Sequence, residues 1–320
     1  MTKIAYFSYA ESRVIDLVAA LVPKGFEVTG RSDGISDGDK IEIIGDADFL
    51  MLHGGRQSER VLRAGTKIKL VQLLSAGYDN VDLELMNELK IPVANVGGAN
   101  RQGVAELTIT LILAVLRRLN QMETGLKAGK WREELSSGLD TFELTEKTVG
   151  IIGFGMIGQT VAQLLRGFDT RILYSDVTAY PQVERELGVS RVSLDELLGE
   201  ADIVTVHTPL LPETRRLIGK RELSLMKPTA VLINTARGEV LDEAALISAL
   251  EEETIWGAGL DVFEREPISR DNPLLSMENV VLSPHAAGGT YESWPRRASF
   301  AYENFQRVLR GEQPLSLVLS

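Results

Sequence analysis

The chain has 320 residues, a length that suits two domains and excludes a single small module. Hydrophobic residues make up 44% and charged residues 25%, so a sizeable core can be buried and a disordered or fibrous chain is excluded. Lys and Arg total 34 against 45 Asp and Glu, a formal charge of −11 that repels nucleic-acid phosphates, and the lack of cysteine excludes disulfides, thiolate catalysis and zinc-thiolate sites. The start MTKIAYFSYAESRV has no basic-then-apolar signal pattern, and no apolar run approaches 18 residues. The expectation is a soluble, cytoplasmic protein with neither a membrane nor a nucleic-acid partner.

Short apolar runs alternate with amphipathic stretches from end to end, the pattern of an α/β protein built on doubly wound parallel sheets. Strands are predicted at Lys3–Ser8, Phe26–Thr29, Phe49–Leu52, Leu70–Leu74 and Val93–Asn95, making one α/β unit. A long apolar helix follows over Val104–Leu119, then a polar, glycine-punctuated loop over Lys127–Lys147. A second series has strands at Val149–Ile152, Arg171–Tyr174, Ile203–Val206, Ala230–Ile233, Ile255–Leu260 and Val280–Leu282, enough for a complete dinucleotide fold. The last segment, Tyr291–Leu309, has a helical pattern and is expected to return to the first unit. The domains are therefore set at 1–100 plus 290–320 and at 101–289.

Gly153-Phe-Gly155-Met156-Ile157-Gly158 follows an apolar strand and opens a helix, the context in which G-x-G-x-x-G binds a pyrophosphate. A glycine-rich strand-to-helix turn is the plain alternative. Asp176 ends the next strand, where a carboxylate would bond the ribose hydroxyls of NAD and repel the 2′-phosphate of NADP, and no Lys or Arg stands immediately beside it. A helix cap is the other use for such an aspartate.

Only three histidines are available, His53, His207 and His285, each at the carboxyl end of a predicted strand. Ligands of open α/β sheets bind outside those ends. His285, in Ser283-Pro-His-Ala-Ala-Gly288-Gly, can give and take a proton near neutrality. Arg237 follows a strand in Asn234-Thr235-Ala236-Arg237-Gly, with a planar fork suited to a carboxylate. Asp261-Val-Phe-Glu-Arg-Glu266 crowds the exit of another strand, and one carboxylate there could orient the histidine and favour its protonated form. A solvated loop accounts for the same crowd. His207-Thr208-Pro209-Leu suits a loop over the cofactor, and His53 faces either substrate or its own loop. Small residues in Ser75-Ala76-Gly77-Tyr-Asp79 could expose backbone N–H groups as an anion nest, or form an ordinary turn capped by Asp79. Arg56, Tyr78, Trp294 and Trp131 are weaker lining candidates, on position alone.

Taken in order, these motifs resemble the D-isomer-specific 2-hydroxyacid dehydrogenase family, together with Asn100 through Val104-Ala-Glu106 and with Thr214 behind His207-Thr-Pro-Leu. The resemblance implies a flavodoxin-like substrate domain, a Rossmann NAD-binding domain and a homodimer. It also implies that Arg237, Glu266 and His285 are the catalytic trio and that His53, Ala76, Gly77 and Arg237 meet the substrate. Gly153 to Gly158, Asp176, His207, Thr208, Pro209, Thr214, Thr235, Ala236, Asp261 and Gly288 would line NAD, with no metal. The implied reaction interconverts a small 2-keto acid, glyoxylate, hydroxypyruvate or a phosphoglycerate-like acid, and its D-2-hydroxy acid. An NAD(H)-sensing, corepressor-like scaffold is the alternative. Met156 replaces an arginine common among relatives. Glu266 argues against the formate dehydrogenase branch, and Ala76, where phosphite dehydrogenases carry lysine, against that one.

Overall fold

The computed structural model describes residues 1–132 and 138–318. In chain order it forms β1 (Thr2–Ser8), α1 (Ser12–Ala20), β2 (Phe26–Ser32), α2 (Asp37–Ile44), β3 (Phe49–His53), α3 (Glu59–Ala64), β4 (Val71–Leu73), α4 (Leu83–Glu88) and β5 (Val93–Ala94). Then come α5 (Arg101–Leu116), α6 (Leu119–Lys127), β6 (Thr148–Ile152), α7 (Met156–Leu165), β7 (Arg171–Ser175), α8 (Pro181–Leu187), β8 (Ser190–Arg191), α9 (Leu194–Glu200), β9 (Ile203–Val206) and α10 (Lys220–Leu225). The chain finishes with β10 (Val231–Asn234), α11 (Glu243–Glu251), β11 (Gly257–Leu260), β12 (Val280–Leu282), α12 (Ser293–Leu309) and β13 (Leu317–Val318). Two compact units result: Met1–Asn100 with Gly289–Ser320, and Arg101–Gly288.

Unit 1 has a six-stranded sheet in the order β13-β5-β4-β3-β1-β2, parallel except for β13. Leaving that edge aside, this is the flavodoxin-like order, with its topological switch between β1 and β3. Parallel strands covered on both faces read as unbroken apolar runs, as in the wholly buried β3 sequence FLMLH. One face packs Ile4, Tyr6, Phe49 and Met51 against Val18 of α1 and Trp294, Tyr302 and Phe305 of α12. The other packs Ala5, Phe7, Leu50 and Leu52 against Ile44, Val61 and Leu85. Unit 2 is a seven-stranded, wholly parallel sheet, β12-β11-β10-β9-β6-β7-β8, the dinucleotide-binding order with one added strand. Helix starts follow local chemistry: the side chains of Ser36, Ser58, Asp82, Ser193 and Asp242 each accept the N–H three residues on.

The structure departs from the sequence reading in several elements, and β2 runs three residues past its predicted end, to Ser32. β8 and β13 are two-residue edge strands, too short to show a period. The apolar helix spans Arg101–Leu116, because Arg118 adopts a left-handed backbone (φ 49°) that separates it from α6, an unforeseen helix. Of the loop predicted over Lys127–Lys147, residues 133–137 lie outside the described residues. β11 begins at Gly257, two residues inside the run predicted for it.

Candidate active site

At the carboxyl edge of the unit 2 sheet, single main-chain bonds carry the pairing past the strand ends and hold the exit loops abreast. Gly153 N–H donates to Ser175 O (2.9 Å), His207 N–H to Ile152 O (2.7 Å), Asp261 N–H to Asn234 O (3.0 Å) and Ser283 N–H to Leu260 O (2.9 Å). Every candidate residue of this unit leaves the sheet from that edge.

Gly153 has φ 87°, and a β-carbon there would stand 2.8 Å from the His207 carbonyl carbon; at Gly158 it would stand 2.3 Å from Gly153 O. Gly155, the N-cap of α7, has open space where its β-carbon would be and no side-chain cap, which leaves the helix N–H groups bare to an anion. Beside the loop, His207 Nδ1 and Thr208 Oγ1 are buried without a hydrogen-bond partner. Bare N–H groups and buried unpaired polar atoms fit a dinucleotide. His207 Nε2 meets Thr205 Oγ1 at 2.9 Å, and burial lowers the imidazole to about 3, so the ring is neutral.

Asp176 ends β7 with one carboxylate oxygen accepting Phe154 N–H (2.6 Å) and the other Thr178 N–H (2.8 Å), tying the acid to the glycine loop. Sequence reasoning saw no basic residue beside it. One lies across the sheet: Arg191 of β8 donates to Asp176 O through Nε (3.2 Å) and Nη2 (2.8 Å), and Nη2 also reaches Val177 O. Met156 is half exposed at the start of α7. Thr214 Oγ1 donates to Pro209 O (2.6 Å) and accepts Leu211 N–H (2.8 Å), shaping its own loop. Thr235 Oγ1 pairs with Thr108 Oγ1 of α5 at 3.1 Å.

His285 Nδ1 stands 2.6 Å from Glu266 Oε2, with both side chains partly exposed. Burial works against the Glu266 charge, but the bond to His285, its charge, Phe263 N–H and Arg237 outweigh burial and hold the carboxyl below its usual range. Its second oxygen accepts Phe263 N–H at 3.1 Å. His285 adopts φ 51°, a left-handed backbone that costs a side-chain-bearing residue about 1–2 kcal/mol. Asp261 supplies the restraint. Its carbonyl accepts His285 N–H (2.7 Å), and its fully buried carboxylate accepts Ser283 Oγ–H (2.6 Å), Ala286 N–H (2.9 Å) and Ala287 N–H (3.0 Å).

Arg237 is placed by two residues that sequence reasoning passed over. Asn234, fully buried, accepts Ala236 N–H (3.0 Å) and donates to Arg237 O (2.9 Å). Gly238 lies so close to the neighbouring exit loop that a β-carbon would come within 1.9 Å of the Phe263 carbonyl carbon. Only glycine brings these two main chains together, and with them Arg237 and the loop of Glu266. The signal was present in the sequence as the glycine that closes Asn234-Thr-Ala-Arg-Gly.

In unit 1, the turn after β4 has pinned carbonyls: Asn95 Nδ2 donates to Ala76 O (2.9 Å) and Ser75 Oγ to Gly77 O (2.8 Å). Among the described hydrogen bonds the N–H groups of Ala76 and Gly77 have no acceptor, as an anion nest requires. His53 is buried at the end of β3, its Nδ1 3.1 Å from Ser8 Oγ. Arg56 pairs with Asp82 (2.8 Å), and Trp294 is buried in the core. Trp131 is exposed.

Residues 109–287 match the family model described as D-isomer specific 2-hydroxyacid dehydrogenase, NAD binding domain. Glyoxylate reductase of Korarchaeum cryptofilum is 41% identical over 283 residues, 87% of this chain and 84% of that protein. The crystal structure of the TT0316 protein from Thermus thermophilus covers 99% of this chain and 100% of its own, with TM-score 0.84 and 34% identity. The NAD-complexed D-isomer specific 2-hydroxyacid dehydrogenase of Lactobacillus delbrueckii ssp. bulgaricus covers 99% and 100%, with TM-score 0.80 and 27% identity. With two doubly wound sheets, a bare glycine loop and this likeness along nearly its whole length, the chain belongs to the D-isomer specific 2-hydroxyacid dehydrogenase family and is an NAD-dependent oxidoreductase.

Proposed function

We propose that the protein reduces a small 2-keto acid of the glyoxylate or hydroxypyruvate kind to its D-2-hydroxy acid, with NADH preferred to NADPH. The observation that carries this reading is the His285–Glu266 pair at 2.6 Å, with the exit loop of Glu266 packed against that of Arg237. Engaging Nδ1 with the carboxylate leaves Nε2 of His285 to deliver a proton to the oxygen on C2, and Glu266 stabilises the cation before delivery. Arg237, permanently charged, binds the carboxylate and stabilises negative charge growing on the C2 oxygen. In unit 1, the Ala76 and Gly77 N–H groups form a nest suited to a carboxylate. When bound, NADH supplies the hydride. Asp261 positions the ring by fixing the loop on either side of it. Asp176 supports NADH over NADPH through its charge, opposed by Arg191 on the next strand.

A homodimer belongs to the same reading and is supported by exposed Leu119, Leu126 and Trp131 on α6 and just beyond it; light scattering tests it. A cytoplasmic site is also part of the proposal. Among the described residues no helix is long and apolar enough to cross a membrane.

The test is oxidation of NADH and of NADPH at 340 nm with glyoxylate, hydroxypyruvate and pyruvate, for the wild type and for His285→Ala and Arg237→Ala. Turnover with NADH that falls by about 10²–10⁴-fold in His285→Ala supports the assignment. Binding of NADH without turnover of any acid would overturn it in favour of a nucleotide-sensing scaffold.

A further inference from the structure

The carboxyl edge of the unit 1 sheet carries an aromatic cluster that the reaction chemistry does not use. Tyr9 follows β1, and its ring lies over the His53 imidazole with centroids 4.4 Å apart and planes at 27°. Trp294 meets the same imidazole edge-on at 4.8 Å, with the Arg297 guanidinium 4.6 Å from the indole centroid. His53 and Trp294 are buried, whereas Tyr9 is 64% exposed. Burial of the first two follows from their place in the core. An exposed tyrosine held flat on another ring presents a fixed apolar face to whatever enters.

The sequence is shaped to keep that ring down. Tyr9 N–H donates to His53 O at 3.0 Å, which clamps the two strand exits together. The residue after His53 is Gly54, at φ 144°, and a β-carbon on it would stand 2.4 Å from Tyr9 Cδ1. Any other residue there would be strained and would lift the ring. Topology places the cluster where a ligand of this sheet is expected, since β1 and β3 flank the switch point. The nest of Ala76 and Gly77 leaves β4, the neighbour of β3, so the exits of β4, β3 and β1 are successive steps of about 4.8 Å.

We infer that Tyr9, seated on His53 by Gly54, receives the side chain of the 2-keto acid and extends the range reduced beyond glyoxylate to acids with a flat aryl substituent on C3. The inference rests on the proposed reductase activity and on the carboxylate seat at Ala76 and Gly77. A substrate anchored there extends over His53 toward Tyr9. An aryl group spans one strand spacing and stacks on the tyrosine face, whereas glyoxylate has no side chain to place.

The experiment measures kcat/KM for phenylpyruvate and for glyoxylate with NADH and takes their ratio, so that losses of fold, cofactor or catalytic machinery cancel. Tyr9→Ala is expected to lower the ratio about 10- to 100-fold, the range of one lost apolar group in a pocket. Gly54→Ala, which displaces the ring without removing it, should lower it in the same direction, and Tyr9→Phe should hold it within about threefold of the wild type. An unchanged ratio in Tyr9→Ala, or a wild type active on glyoxylate alone, overturns this inference and leaves the reductase reading standing. A wild type inactive on both acids overturns this inference, and one inactive on hydroxypyruvate and pyruvate as well overturns both.

Discussion

Alanine in place of Gly238 is expected to remove most turnover while leaving cofactor binding intact. A β-carbon at this position meets the Phe263 carbonyl carbon at 1.9 Å, its oxygen at 2.0 Å and the Glu264 nitrogen at 2.4 Å. Ordinary contact begins at 3.4 Å, so one of the two loops must retreat by about 1.5 Å. The obstructing atoms are main chain and cannot swing aside as a side-chain tip would. One loop carries Arg237. The other carries Glu266, which is tied to Phe263 N–H and through its second oxygen to His285. Misplacement of reacting groups by about 1 Å costs roughly 100-fold in rate, and overpacking costs about 1–3 kcal/mol of stability. For Gly238→Ala, kcat for keto-acid reduction should fall by about 100-fold or more and the melting temperature by roughly 5 °C. The Kd for NADH, followed by fluorescence titration, should stay within about threefold, because the glycine loop and Asp176 leave other strands. A variant with wild-type kcat and melting temperature would refute the role given to this close approach.

Glu266→Gln keeps an acceptor for Phe263 N–H and loses the charge facing His285, so kcat for keto-acid reduction should fall by about tenfold or more while NADH still binds, and wild-type kinetics would remove Glu266 from proton delivery. His207 is neutral in the fold because burial lowers it to about 3, whereas an unfolded chain takes up that proton near pH 6.5. Stability is therefore unaffected by this group above about pH 6.5 and falls as the pH drops from there toward 3. Between pH 7 and pH 5 the wild type should lose about 2 kcal/mol more than His207→Gln in urea unfolding, and equal losses would contradict the buried, neutral assignment.

Most of the strand framework could be read from the chain because parallel strands covered on both faces are unbroken apolar runs, and β9 and β12 start and stop where the pattern does. The glycine loop was legible for a similar reason: its spacing, its preceding strand and its following helix are local. What escaped was the product of neighbours far apart in sequence. Arg191 reaches the Asp176 backbone only because β8 pairs with β7, and a two-residue exposed strand announces nothing. Gly238 is one of 29 glycines until the Phe263 carbonyl lies against it. Tyr9 looks like an ordinary loop residue until β1 and β3 bring it over His53. Arg118 ended a helix without glycine or proline to mark the break.

The last helix has a consequence for the order in which the molecule assembles. α12 supplies Trp294, Ala298, Ala301, Tyr302 and Phe305 to the core of unit 1. Tyr302 Oη–H donates to Val18 O (2.6 Å), and Asn304 Nδ2 to the buried Gln72 Oε1 (2.7 Å). These contacts join the two ends of the chain across the whole of unit 2, whose own residues are continuous from Arg101 to Gly288. During synthesis unit 2 can close its core as soon as it emerges, while the first hundred residues wait with one sheet face covered only in part, by α1. A compact unit 2 shortens the effective loop that α12 must close. The core of unit 1 is thus completed only by the last helix of the chain.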